Sequence, residues 1–304
     1  MVSLNEIQSI FRGEIALHEP LAKYTSMHVG GPADYYLEPK DKEDLARLVG
    51  YLQQNKVPFL ILGRGSNLLV SDEGVRGVVI NLESGVSRVY RDGEFVVAES
   101  GCRLNTFTDF CIQNELAGVE MLAGIPGTIG GAVVMNAGAH GGEIADHLVQ
   151  VEAIRDGAIV QIKKSAASFA YRKSGFGNDV VLSATFLLPP GRKEELFARR
   201  RELILKRNAS QPLELPNSGS MFKNPPNNFA ARLIEQAGLK GKRVGDAQIS
   251  EKHANFIVNY GTAKAVDVMK LIDLAQRTVY QNSGVLLELE VKLIGFAEQT
   301  QEHA

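Results

Sequence analysis

The sequence predicts a mixed α+β fold in about two domains. Charged amphipathic helices alternate with short apolar strands, and Asp-Gly pairs sit between strand-like runs. The strands are also too varied in their connections for a simple doubly wound sheet. A length of 304 residues fits about two domains.

The first helix that can be read spans Asp41 to Gln54, where Leu45, Leu48, Val49 and Leu52 form one apolar stripe on a charged helix. Pro58 ends it, and the run FLIL at 59–62 reads as a short buried strand. VVINL at 78–82 is a second strand. VSRVY, then Arg91-Asp92-Gly93-Glu94, then FVVAES read as a hairpin, because Asp-Gly suits a tight turn. The same signal recurs at Asp156-Gly157, between VEAI and AIVQI. Arg192 to Arg207 is a highly charged helix, read as a solvated face rather than a nucleic-acid patch. Pro212 and Pro216 within Asn208–Ser220 mark a domain boundary. Beyond it, Ala230, Leu233, Ile234 and Ala237 form a helical stripe stopped by Gly238. Val268, Leu271, Ile272, Ala275 and Val279 form another, with Thr262 as the expected N-cap and Gly284 past its end. The run LLELEVKLIG at 286–295 reads as a final, largely buried strand.

Composition removes several function classes. Lys and Arg number 33 against 35 Asp and Glu, a net charge of −2, so no basic excess exists to hold a nucleic-acid backbone. Cys102 and Cys111 match no disulfide or zinc spacing, and the six histidines form no close ligand set, so no metal is expected. The opening stretch carries Glu6 and lacks a long apolar core, which argues against a secretory leader and for a cytoplasmic protein. Met121 to Ala139 is uncharged but holds five glycines and Pro126, a poor composition for a lipid-facing helix, so no membrane insertion is expected.

The 30 glycines are the compositional outlier, and two clusters of them follow apolar runs. Gly63-Arg64-Gly65-Ser66-Asn67 follows FLIL; it starts like a dinucleotide loop, but position 68 is leucine where the third glycine would stand. Alone it divides evenly between a plain turn and a phosphate loop. Gly124-Ile125-Pro126-Gly127-Thr128-Ile129-Gly130-Gly131-Ala132 runs into Val133–Ala139, with Asn136 and Gly138. Small residues let a flat or phosphorylated ligand lie on the backbone, and a helix starting near Thr128 would aim free N–H groups at an anion. Close helix packing is the competing reading, and two such clusters make it the minority one.

GRGSNLLVSD at 63–72, GIPGTIGGAVVMNAGAHGGEI at 124–144, YRKS at 171–174, GSMFKNP at 219–225 and LEVKLIG at 289–295 occur in this order. Together they resemble the UDP-N-acetylenolpyruvoylglucosamine reductase family, over essentially the whole chain. The short stretch between Tyr171 and Ser220 is similar to the compact, type II form. The resemblance implies a vanillyl-alcohol-oxidase-like FAD-binding fold in two subdomains, with a smaller α+β substrate-binding domain. Residues 1–205 with 285–304 would form the FAD-binding region, its subdomain boundary near 85, and 206–284 the substrate domain. It further implies non-covalent FAD, NADPH as hydride donor, a UDP-sugar substrate, and a monomer or weak oligomer. The reaction would reduce an enolpyruvyl ether to a lactyl ether, UDP-N-acetylmuramate, for peptidoglycan synthesis.

That reaction builds negative charge beside a carboxylate and needs a cation or proton donors there. The resemblance assigns Arg172 as the cation, with a donor fork matched to a carboxylate, Ser220 as the proton donor, and Glu290 beside the same carboxylate. Read alone, Arg172 would be a surface arginine, Ser220 a turn serine and Glu290 an edge-strand residue. Like charges repel, so Glu290 is expected to be protonated or paired with a cation when it acts. In an ideal strand Glu288 shares its face, and only the motif separates the two. Thr25, Ser26, Gly30 and Gly31, within YTSMHVGGPAD, resemble the first FAD segment, and both glycine clusters would complete it. Lys223, Asn224, His253 and Asn259 are weaker substrate-side candidates. Lys292 stands where the family pattern has arginine; it keeps the charge without the planar fork. The alternatives are another FAD-linked oxidoreductase of the same fold, which would need a different second domain, and a non-catalytic flavin- or nucleotide-binding protein. The latter would keep the glycine clusters without needing Arg172, Ser220 and Glu290 together.

Overall fold

Asp41 starts the second helix of the chain by accepting the Asp44 N–H at 2.8 Å, and Leu45, Leu48, Val49 and Leu52 are all fully buried along one face. This element illustrates how the fold is made: a capped helix lays one stripe on a sheet. The computed structural model describes residues 4–296; the terminal part of the region read as 285–304 lies outside the described residues. The helices are α1 (Leu4–Ile10), α2 (Lys42–Gln54), α3 (Leu104–Gln113), α4 (Ile129–Met135), α5 (Lys193–Ser210), α6 (Ala230–Gln236) and α7 (Ala265–Ser283). The chain forms two units. The first comprises residues up to Leu17, Tyr35–Arg64 and Gly77–Arg207; the second comprises His18–Asp34, Gly65–Arg76 and the chain from Asn208.

The first unit contains a five-stranded sheet, in the order 158–163, 148–155, 180–187, 95–99 and 89–92, antiparallel throughout. Both Asp-Gly hairpins belong to it. Arg155 pairs with Ala158 across Asp156-Gly157, and both loop residues have positive φ (50° and 77°), the mirror-image turn that matches strand twist. A four-stranded sheet has the order 14–20, 32–38, 75–81 and 59–62, with the FLIL strand parallel to Val75–Asn81. The α2 stripe packs into one core with Val78, Ile80 and Leu182, while α3 and α4 pack into another with Val96, Ala98, Val151 and Phe186. The α5 helix buries only Leu196, as its charge pattern leads one to expect.

The second unit is built around α7. Val268, Leu271, Ile272, Ala275 and Val279 are buried against Met27, Leu69, Met221 and Ile257. Each larger side chain of the stripe contributes about 1.5–3 kcal/mol by leaving water. The helix starts differently from the expectation. Thr262 does not cap it: its hydroxyl donates to Asp246 Oδ2 at 2.7 Å. The first N–H groups of α7 go instead to Asp72, with Ala265 N–H to Oδ1 at 2.8 Å and Val266 N–H to Oδ2 at 3.0 Å. A small antiparallel sheet has the order 217–220, 256–259, 247–249 and 243–244, and Lys292–Ile294 runs parallel to Leu68–Val70.

The final strand is also shorter than expected. Only Lys292–Ile294 is regular, because the chain changes partners just before it. The Glu290 and Val291 N–H groups both point to the Met221 carbonyl (2.8 and 3.3 Å), and the Lys292 N–H then turns to the Asn67 carbonyl at 3.0 Å. Two donors on one acceptor break the alternation, so Glu288 is exposed and Glu290 half-buried. Among the described residues no helix is long and apolar enough to cross a membrane.

Candidate active site

In the first unit, the second glycine cluster closes into α4. Gly130 lies so near Ser100 that an added Cβ would stand 1.8 Å from its hydroxyl, so this glycine is required by packing. Gly63 is likewise crowded, its added Cβ falling 2.3 Å from Thr128 Oγ1. Gly131 is exposed, and the nearest atom to an added Cβ is 3.8 Å away. The helix-end anion cradle expected from the sequence is partly closed. Ile129 N–H donates to Cys102 O and Gly130 N–H to Ser100 O, both at 2.8 Å. Arg64 sits beside Glu83, 3.9 Å away, on an exposed edge.

Asn136 ends α4 in the left-handed region (φ 43°) and is 1% exposed. Its Nδ2 donates to Glu143 Oε2 at 2.6 Å and to the Ala170 carbonyl at 3.0 Å, while its Oδ1 is buried without a hydrogen-bond partner. The Ala170 carbonyl belongs to the turn that presents Arg172. Ala170 and Lys173 exchange backbone hydrogen bonds of 2.9 and 3.0 Å, leaving Tyr171 and Arg172 at the tip. Arg172 has φ 55°, an uncommon value for a residue with a side chain. Its Nη2 donates to the Gly138 carbonyl at 2.8 Å, and its guanidinium carbon lies 4.9 Å from the centre of the Tyr171 ring. The YRKS turn and the end of the second glycine cluster thus form one construction, with Asn136 and Gly138 holding the turn.

In the second unit, Ser220 ends the strand Asn217–Ser220, after Gly219. The residues behind it are fixed on both sides. Met221 N–H donates to the Asn255 carbonyl at 2.8 Å, and Asn255 exchanges side-chain hydrogen bonds with the Phe222 backbone, accepting at 3.0 Å and donating at 2.8 Å. On the other side the Met221 carbonyl receives the Glu290 N–H, so one residue joins the Ser220 and Glu290 segments. The sequence reading missed Asn255. It lies inside SEKHANFIVN, but nothing in its spacing distinguishes a backbone clasp from a surface asparagine.

The remaining positions divide by what already engages them. Thr25 is buried, and its hydroxyl donates to Val29 O at 2.8 Å; Ser26 N–H donates to Gly65 O at 3.1 Å. Lys223 pairs with Glu288, the carboxylate that shares the face of Glu290 only in an ideal strand. Asn224 accepts the first N–H of α6, from Ala230, at 3.1 Å. Asn259 is 2% exposed; its Nδ2 donates to Met27 O and its Oδ1 accepts Gly261 and Ala263 N–H, so its amide is engaged inside the protein. His253 packs edge-on against Phe256 with Nδ1 buried and without a partner, and burial lowers its pKa. Burial raises both thiols, Cys102 to about 11, so neither is a ready nucleophile. Among the described residues no group of three or more His, Cys, Asp or Glu could hold a metal ion.

Residues 211–294 match the family described as UDP-N-acetylenolpyruvoylglucosamine reductase, C-terminal domain, and residues 33–163 match the FAD binding domain family. The UDP-N-acetylenolpyruvoylglucosamine reductase of Chloroherpeton thalassium is 46% identical, over 99% of this chain and 100% of its own. The chain belongs to this family. A reductase of the same name from Listeria monocytogenes is 45% identical over 96% of this chain and 99% of its own. The crystal structure of the Thermus caldophilus reductase aligns with a TM-score of 0.80 at 39% identity, covering 93% of this chain and 99% of that one. The α+β fold is therefore the reductase fold, carrying an FAD-binding domain.

The residues present suit FAD. Gly131 leaves backbone exposed, and the buried, unpartnered Asn136 Oδ1 is an acceptor for a ligand N–H. The diphosphate expectation rests on fewer free helix N–H groups than the sequence suggested, since Ile129 and Gly130 are already engaged.

Proposed function

We infer that the chain is an FAD-containing oxidoreductase that reduces the enolpyruvyl group of UDP-N-acetylglucosamine enolpyruvate to UDP-N-acetylmuramate, a peptidoglycan precursor, with NADPH as donor. When bound, the cofactor carries two electrons from NADPH to the substrate double bond; the product gains a hydride equivalent at the terminal carbon and a proton at its neighbour. The protein's own task is to stabilise and protonate the charge formed in between.

Arg172 meets the developing carboxylate charge with its guanidinium, which the Nη2 hydrogen bond to the Gly138 carbonyl anchors. A turn held by Asn136 keeps it in position before the charge appears, so little reorganisation is needed. Ser220 donates its hydroxyl proton to the carbon beside the carboxylate and is reprotonated from solvent. Glu290 lies by the same carboxylate and acts protonated or paired with a cation, since two free carboxylates would repel. Thr25, Ser26, Gly63–Asn67 and the 124–138 cluster contact FAD, largely through backbone. Lys223, Asn224 and His253 face the UDP-sugar. We assign FAD binding to 1–205 with 285–304 and substrate binding to 206–284. The protein works as a monomer or weak oligomer in the cytoplasm, where its nucleotide substrates are made.

The pairing of the Ser220 and Glu290 segments through Met221 supports this reading most, since it brings the two assigned residues into neighbouring backbone. The test is an anaerobic visible spectrum. NADPH should bleach the flavin, and the enolpyruvyl substrate should restore it in a single turnover. Ser220→Ala should retain FAD and bleach, yet lose about 10²–10⁴-fold in the substrate-driven recovery. Bleaching without recovery in the unaltered protein discards the substrate; unchanged recovery in Ser220→Ala discards the proton donor.

A further inference from the structure

We propose that Asn67, within a loop whose sequence reads as cofactor-binding, is a positioning residue for Glu290. The inference rests on the reductase reading above and deepens it. Glu290 stands where the C-terminal chain leaves one partner for another, a point at which its backbone has no continuous ladder to hold it. Its N–H is fixed by the Met221 carbonyl at 2.8 Å. Its carbonyl is fixed by the side chain of Asn67, whose Nδ2 donates at 3.0 Å. The Asn67 backbone carbonyl then takes the Lys292 N–H at 3.0 Å, so a single residue brackets the Glu290–Val291 pair. Leu68–Val70, immediately after Asn67, pairs in parallel with Lys292–Ile294 and makes that bracket rigid.

Three features make this more than loop geometry. Asn67 and Glu290 are 223 residues apart, so local turn preference does not create the contact. The hydrogen bond goes to the carbonyl of the residue assigned to the chemistry. Glu290 also meets the Ser220 strand through Met221, so a slip at Asn67 would change the Glu290-to-Ser220 arrangement. Aspartate at position 67 would keep the size but present an oxygen to that carbonyl. Alanine would remove the group.

The test uses the FAD-loaded full chain and separates the two half-reactions by stopped-flow. In Asn67→Ala, the substrate-driven recovery of flavin absorbance should fall at least about tenfold, a larger loss than that in bleaching by NADPH. Asn67→Asp should show the same asymmetry if alanine fails to fold. In a Glu290→Gln background, Asn67→Ala should add less than about twofold, because one residue acts through the other. The pH profile of recovery should also shift in Asn67→Asp. Equal losses in both half-reactions, or weaker FAD binding with normal recovery at saturating FAD, would overturn the proposal and leave Asn67 as a cofactor contact alone. Full additivity with Glu290→Gln would overturn it too. No recovery in the unaltered protein would instead reject the reductase reading and the proposal with it.

Discussion

The two glycine clusters look alike in the sequence and do different work in the structure. In the first, Gly65 adopts φ +58°, and an added Cβ would lie 2.2 Å from the Tyr24 carbonyl oxygen. Its neighbour Asn67 is engaged with Glu290. In the second, Gly131 is open, and Asn136 keeps an acceptor without a protein partner. Absence of a side chain thus serves close backbone packing at Gly65, as at Gly130 of the second cluster, and leaves the backbone open at Gly131. A glycine-rich string in a sequence does not separate these uses; the atom facing each missing Cβ does.

The sharpest way to break this comparison is Gly65→Ala. The backbone conformation disfavours any side chain, and the obstructing atom is a carbonyl with little freedom to move. Thermal unfolding should show a loss of about 3 kcal/mol, roughly 5–10 °C in Tm. An unchanged Tm would remove the packing role of the first cluster.

His140, at the edge of the second cluster, offers a gentler probe. Burial, with help from Arg207 and Lys206, lowers its pKa. With the folded pKa below the unfolded value, the unfolded chain binds the proton first as the solution is acidified. The stabilising contribution is complete above the unfolded pKa, roughly 6.5, and is lost as pH falls through the folded one. His140→Gln should therefore lose less Tm than the parent between about pH 7.5 and 5.5. Equal losses would show that His140 does not titrate in this window.

The smallest effect belongs to Gly131→Ala. Alanine is favoured over glycine within a helix by about 1 kcal/mol, so Tm should hold or rise slightly. FAD affinity should nevertheless fall, because the new methyl group stands on the exposed backbone. Unweakened FAD binding would turn the second cluster into packing as well.

Periodicity made the helices legible. The stripes of α2 and α7 were visible because one face of each is buried, and the charge of α5 was visible because it is not. Both Asp-Gly turns were readable from local backbone preference. The strands 14–20 and 32–38 escaped because mixed burial leaves no clean alternation, and 180–187 because it is buried almost throughout. The helix α3 does carry a buried stripe of Leu104, Phe107, Cys111 and Ile112 at helical spacing. The site was legible only as motifs. Nothing local indicates that Asn255 clasps Phe222, that Asn136 supports the turn bearing Arg172, or that Asp72 caps α7 from a distance of 193 residues. Such contacts are set by tertiary packing, which a short window of sequence does not contain. The Thr262 cap failed for the same reason: a distant carboxylate took the helix N–H groups instead.

Asp72 has a further consequence for how the chain is born. The second unit draws on His18–Asp34 and Gly65–Arg76, yet its helix α7 and the strand Lys292–Ile294 are synthesised much later. On a ribosome adding about 5–20 residues per second, the strand Leu68–Val70 and the Asp72 carboxylate wait roughly 10–45 s for partners some 190–225 residues away. During that interval the Leu68–Val70 edge lacks the partner it has in the folded chain and is open to mispairing.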